Sequence, residues 1–244
     1  MKDFHIHSSF SFDSSTQIEK YIDIAIKNNF EAICFTEHDE ILQTDQIFKN
    51  YIQNIQKKLY INNLQIFSGI ELDIININFL KKEIYDQLDF ILCSFHQNFK
   101  TPVEYYINLY KLLLDNNNFN KIDCIAHIDF PLRYSVFASS FFEQFEEVAF
   151  FYLERILQIL VENKISLEIN AENFLSPYKD IAFRFWKKLI QIYRRKNGYL
   201  FTFGSDSHSI DDFINTINNR NEILSELELN ENDFVSYKNH KITQ

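Results

Sequence analysis

Six of the seven histidines in this 244-residue chain fall at or just past the ends of short apolar runs. His5 and His7 lie in the opening stretch, residues 1–13. His38 follows the run 32–35, His96 the run 90–93, His127 the run 122–126 and His208 the run 199–203; only His240 lies elsewhere, in the tail. Asp13, Glu37, Glu71 and Asp206 sit beside these histidines or at the next run end. A lone histidine of this kind is most often a hydrogen-bonded core residue. Six at equivalent places require a fold that gathers many strand ends at one point. Burying so many carboxylates and neutral imidazoles together is costly unless cations balance them.

The spacing between these runs identifies the fold class. Helical periodicity marks 16–29, 47–59, 79–88, 103–114, 141–163 and 181–196, with a last helical stretch from Ile210. Ser15 or Thr16, with Glu19, offers a capping box for the first helix, and Pro102 suits a helix first turn. The apolar runs between are short enough to be strands, including 64–67 and 165–169. Strand and helix therefore alternate at least seven times, which means a parallel sheet. Closing that sheet into a barrel brings the strand ends together, whereas an open doubly wound sheet does not. In the first strand, side chains two apart share a face, so His5 and His7 aim at one spot. The expectation is an α/β protein, a distorted (β/α)7 TIM-like barrel forming a single domain over residues 1–244. Its core spans about 3–215, and the remainder is a helical and polar tail that frays toward the C-terminus.

Composition narrows the function. The net charge is −10 and no basic cluster stands out beyond Arg194–Lys196, so long nucleic acid is an unlikely partner. There is neither an apolar run of membrane-spanning length nor a leader pattern. The three cysteines, Cys34, Cys93 and Cys124, each lie in an apolar run. They read as core thiols of a cytoplasmic protein. About nine such groups call for two or three divalent ions, and mixed N/O donors favour zinc, manganese or iron over magnesium or calcium.

The ordered set His5–Ile6–His7 with Asp13, Thr36–Glu37–His38, Gly69–Ile70–Glu71, Ser94–Phe95–His96, Ala126–His127–Ile128–Asp129 and Ser205–Asp206–Ser207–His208 resembles the PHP (polymerase and histidinol phosphatase) family. The resemblance spans roughly residues 3–215 and is greatest to its monofunctional histidinol-phosphate phosphatases. It implies a trinuclear metal centre at the strand C-termini. His5, His7, Glu71 and Asp206 would hold one ion, and Glu71 would bridge to a second held by His96 and His127. Asp13, His38 and His208 would surround the third. The segment Ser9–Phe10–Ser11–Phe12–Asp13–Ser14 departs from the Cys-Pro-His-Gly type sequence of many histidinol phosphatases.

The chemistry expected is hydrolysis of a small phosphorylated metabolite, L-histidinol phosphate in the first place. Asp206 or His208 would protonate the leaving alcohol. Arg133 would fork onto the phosphate or stand solvated on its loop, Asn170 would either contact substrate or hydrogen-bond the neighbouring loop, and Arg184, within a helix, is a weaker candidate contact. Glu37, beside His38, either orients a ligand or points away. Three other readings keep parts of this site: a nucleotide phosphatase or 3′-exonuclease, an amidohydrolase-like C–N hydrolase, and a non-catalytic metal-binding module. The sequence leaves the oligomeric state open.

Overall fold

A computed structural model of the chain describes residues 1–115 and 119–243. Seven parallel strands form one sheet: β1 (Lys2–Ile6), β2 (Ala32–His38), β4 (Leu64–Asp73), β5 (Phe90–Ser94), β6 (Cys124–Ile125), β7 (Ser166–Asn170) and β8 (Phe201–Gly204), adjacent in that order. A short strand, β3 (Tyr60–Ile61), pairs antiparallel with β4. The ring closes between β8 and β1. Ile6 bridges Ser207, the His7 amide donates to the Ser207 carbonyl (3.0 Å), and the Asp206 amide donates to the His5 carbonyl (2.9 Å). This is the expected distorted barrel.

The helices α1 (Ile18–Lys27), α2 (Asp45–Gln56), α3 (Lys82–Tyr85), α4 (Pro102–Asp115), α5 (Ser135–Ala138), α6 (Glu146–Asn163), α7 (Lys179–Arg195) and α8 (Ile210–Glu226) lie between the strands in sequence. Alternation along each strand splits the core in two. Ile33, Phe35, Ile70, Leu72, Ile91, Cys93, Leu167, Ile169 and Phe203 belong to the large cluster shared with the helices. Phe4, Ala32, Cys34, Phe67, Phe90, Leu92, Cys124, Ala126 and Tyr237 form a second cluster that fills the barrel interior. The inward positions beyond this apolar plug are polar: Glu71 follows Phe67 and Gly69 on β4, and Glu168 and Asn170 follow Ser166 on β7. In β1 the pairing runs Asp3 with Ile33 and then Ile6 with Phe35, so β1 carries one extra residue. That bulge turns His5 inward although Phe4 also faces the interior.

Several elements differ from the sequence reading. The first helix is capped by Gln17 without a side-chain bond. The Thr16 carbonyl instead accepts from the Ser9 amide (2.7 Å), which ties down the loop after β1, so the capping box does not form. The helix expected over 79–88 shrinks to α3, preceded by a 3-10 segment (Ile74–Phe79) that starts on Asp73; Phe79 points to solvent and cannot anchor a longer helix. The helix expected over 141–163 opens as a π turn (Phe141–Phe145) before regular α6.

The tail is a docked element. Strands β9 (Ser236–Lys238) and β10 (Lys241–Thr243) pair antiparallel. Buried Tyr237 plugs the barrel floor and donates to the Asp123 carbonyl (2.9 Å). His240 stacks on Tyr85 and bonds Asp123 Oδ2 (2.7 Å) and the Tyr85 carbonyl (2.9 Å). The three cysteines are free and buried, as expected of core thiols. No helix among the described residues is long and apolar enough to cross a membrane.

Candidate metal centre

All nine expected ligands meet at the C-terminal mouth of the barrel. His5 Nε2 and His7 Nε2 lie 2.9 Å apart. Asp206 Oδ1 is 3.3 and 3.4 Å from them, and Glu71 Oε2 is 3.5 Å from each. On the other side of Glu71, Oε1 is 2.8 Å from His127 Nε2 and 3.5 Å from His96 Nε2. Glu71 Oε2 also meets His38 Nδ1 at 3.0 Å. Asp13 Oδ2 lies 3.1 Å from His38 Nε2 and 3.2 Å from His208 Nε2. The His7 ring lies against those of both His38 (4.3 Å between centroids) and His208 (4.2 Å), which are themselves 5.8 Å apart. Three sets have donor atoms close enough to share an ion: His5, His7 and Asp206; Glu71, His96 and His127; and His7, His38 and His208.

The surrounding bonds fix how these rings present themselves. His5 Nδ1 donates to the buried Glu168 carboxylate (2.6 Å), so its Nε2 carries a lone pair. Ser11 donates its hydroxyl hydrogen to Glu37 (2.6 Å) and therefore faces His7 Nδ1 (3.2 Å) as an acceptor, leaving His7 Nε2 with a lone pair as well. Two nitrogen lone pairs and two carboxylate oxygens thus converge within 3.5 Å. Such an arrangement is repulsive without a cation at its centre, and its N/O donor set fits zinc, manganese or iron. The electrostatics agree. Burial opposes charging His5, yet Asp206, Glu168 and Glu71 raise it well above its ordinary value, so that without a metal a proton on Nε2 takes the cation's place. Burial pushes His7 down to about 4, and burial with the neighbouring His127 does the same to His96. Against its own burial, His5 and the other imidazoles hold Glu71 well below the usual carboxylate range.

Two backbone features make this packing possible. Asp206 has a left-handed backbone (φ 55°), a conformation that Asp tolerates better than most residues and that turns its carboxylate back over the mouth. Gly204 leaves room beside it: a Cβ there would meet Glu168 Oε1 at 2.0 Å and the His5 Cβ at 2.6 Å.

The other expected residues divide. Arg133 reaches the site, with Nη2 2.6 Å from Asp206 Oδ2 and Nη1 2.6 Å from Glu172 Oε2. Asn170 is buried, and its amide bonds Glu168, Asp206 and the Glu172 backbone, the structural one of the two roles open to it. Arg184 is drawn away: on the outward side of α7 it stacks on Phe142 and pairs with Glu146, and it touches none of the nine ligands. Glu37 points inward, where it accepts from Ser8 and Ser11. Sequence reasoning missed Glu168, which holds the His5 ring and also accepts from the His127 amide (2.6 Å). Its spacing from Asn170, two residues along one strand, was the available signal.

Comparison with known proteins agrees with this geometry. The PHP domain model matches residues 3–172. The chain is 29% identical over 233 residues to the histidinol-phosphatase of Lactococcus lactis subsp. lactis, covering 84% of this chain and 83% of that protein. It is 26% identical over 211 residues to a Thermotoga maritima protein named "Probable histidinol-phosphatase", covering 85% and 84%. The crystal structure of the Lactococcus lactis histidinol phosphate phosphatase complexed with zinc, L-histidinol and phosphate superposes with a TM-score of 0.73 at 25% identity, covering all of this chain and 98% of that one. With the family model spanning well over half of its length, this chain belongs to the PHP domain family.

Proposed function

We propose that the chain is a metal-dependent phosphomonoesterase that hydrolyses L-histidinol phosphate to L-histidinol and phosphate, a step of histidine biosynthesis. The observation that carries the reading is the convergence of three donor sets around Glu71 at the mouth of the barrel. The likeness to the Lactococcus lactis enzyme supports the choice of substrate. His5, His7, Glu71 and Asp206 would hold one ion, Glu71, His96 and His127 a second, and Asp13, His38 and His208 a third. Zinc is favoured by that enzyme's complex, and manganese or iron suit the same donors. Divalent ions bound there make hydroxide available near neutral pH and neutralise charge on the phosphate.

The chain's own groups do the rest. Arg133 lies beside the cluster with the two arms of its fork on Asp206 and Glu172 and its Nε–H without a partner, so it offers phosphate a fixed cation and one free donor. Glu168 and Ser11 lock His5 and His7 in the ligating tautomer. Of the two candidate proton donors, Asp206 is the poorer. Burial raises its carboxyl, but His5 and Arg133 outweigh that and hold it well below the usual range, so it is ionised. His208, part-exposed at the rim, is the remaining donor to the leaving alcohol in the form in which its Nε2 is not on the third ion, because its Nδ1 is engaged with the Asp206 carbonyl (2.9 Å). We take residues 1–244 as one domain and place the protein in the cytoplasm, consistent with three free thiols.

The test is steady-state hydrolysis of L-histidinol phosphate beside nucleotides and sugar phosphates, with zinc or manganese supplied, for wild type and His7→Ala. A strong preference for histidinol phosphate that the variant abolishes is expected. Preference for a nucleotide would move the protein to another phosphatase class, and no turnover of any phosphate by the metal-loaded protein would refute the reading.

A further inference from the structure

Beside the metal cluster lies a second cavity, of about 480 Å³, whose walls include Arg133, Glu172, Ser176, His208, Asp212 and Thr216. It opens on the Asp206–His208 side of the mouth, where the proposed chemistry leaves the alcohol. Thr216 on α8 is buried in its wall, and its hydroxyl oxygen has no hydrogen-bond partner. A buried hydroxyl left unpaired costs free energy that a ligand group can recover.

The two acids of this pocket are not equivalent. Asp212 is committed to the start of α8, where it accepts from the Ser209 hydroxyl (2.7 Å). Glu172 follows β7, and its backbone amide is pinned on Asn170 Oδ1 (3.0 Å), so its position is fixed by the barrel. Its side chain is half exposed, and Arg133 takes one of its oxygens while reaching Asp206 with the other arm of the fork. One guanidinium therefore spans from the metal cluster to this carboxylate. A leaving group that runs from a phosphate on the cluster into this pocket passes Arg133 and meets Glu172. If that leaving group is an amino alcohol, its ammonium lies close to the ester oxygen and requires an anionic partner on this wall.

Resting on the reading of the site as a histidinol-phosphate phosphatase, we propose that this pocket holds the alcohol part of the substrate, with Glu172 receiving its ammonium group and the Thr216 hydroxyl bonding farther along the chain. Glu172 is then a specificity residue that reads the positive charge of the leaving group.

The experiment compares L-histidinol phosphate with its des-amino analogue, 3-(imidazol-4-yl)propyl phosphate, for wild type and Glu172→Gln. The quantity read is the ratio of kcat/KM for the two substrates. A charge-assisted hydrogen bond sets the scale, so the preference for the amino substrate falls by about ten- to a hundredfold in the variant. Calorimetric binding of L-histidinol and of the des-amino alcohol, in the presence of phosphate, loses the same discrimination without any turnover. An unchanged ratio, whatever the overall loss of rate, overturns the assignment of Glu172, because a residue acting only through Arg133 affects both substrates alike. Failure of wild type to hydrolyse L-histidinol phosphate at all overturns the substrate reading, and this inference with it.

Discussion

Glu168→Gln is the sharpest test of how this centre is built. The Glu168 carboxylate receives three donors: His5 Nδ1 at 2.6 Å, the His127 backbone amide at 2.6 Å and the Asn170 side-chain amide at 3.2 Å. A carboxylate accepts on both oxygens, whereas an amide accepts on one and donates from the other. In either orientation the new NH2 faces a donor, His5 on one side or His127 and Asn170 on the other. A buried donor left unpaired costs about 1–3 kcal/mol. Expressed as metal affinity, that is roughly a 5- to 150-fold loss, close to the 10- to 100-fold typical of residues that orient metal ligands. Any part of the penalty already present without metal appears instead as lower stability, at about 2–4 °C of Tm per kcal/mol for a chain of this size. Competition with a chromophoric chelator gives the affinity, and calorimetry of the metal-free protein gives the Tm. If Glu168→Gln binds metal within about twofold of wild type and melts at the same temperature, the claim that this carboxylate sets the His5 tautomer is wrong.

Gly204→Ala places a methyl group against Glu168 and the His5 Cβ. It is expected to cost about 1–3 kcal/mol by overpacking and to weaken metal binding, as read by Tm and metal content; a neutral effect would mean the wall yields freely. Arg133→Lys keeps the charge but loses the fork that joins Asp206 to Glu172. It should lower kcat/KM by roughly ten- to a hundredfold, and full activity would show that a point charge suffices. His240→Ala should destabilise the protein in a pH-dependent way. Both ring nitrogens face acceptors, and although burial opposes it, Asp123 raises His240 above its ordinary value. Its contribution is therefore complete below the unfolded pKa of about 6.5 and is lost as pH rises through the higher folded value. Asp123, raised mainly by burial, works in the same direction from lower pH. The Tm gap between wild type and His240→Ala should narrow as pH rises above about 6.5, and a constant gap would exclude a titrating clamp.

The expected fold came through because its signals are local. Alternating strand and helix periods are written in stretches of ten to twenty residues, and each histidine falls at the end of its own run. Even the residues of the candidate metal centre are legible one by one, since a strand end in a barrel has one place to go. What stays open in the sequence lies where a side chain's fate depends on distant chain. Arg184 has the chemistry of a phosphate contact, but α7 turns it toward Phe142 and Glu146. Asn170 ends the right strand, but its amide is consumed by Glu168 and Asp206. The polar tail gives little sign of burying Tyr237 in the barrel floor, because the partner that receives it, Asp123, lies more than a hundred residues away.

The sequence by itself thus determined the fold class, the number of strand ends and the residue types gathered at them, all of which follow from short-range periodicity. Tertiary structure alone decided which donors face one another, that the bulge in β1 turns His5 inward, and that Glu168 holds its ring. It also decided that Asp206 turns back over the mouth with a left-handed backbone, and that Arg133 links it to Glu172. These are matters of distance and lone-pair direction between residues far apart in the chain, and they are fixed only when the ring of strands closes.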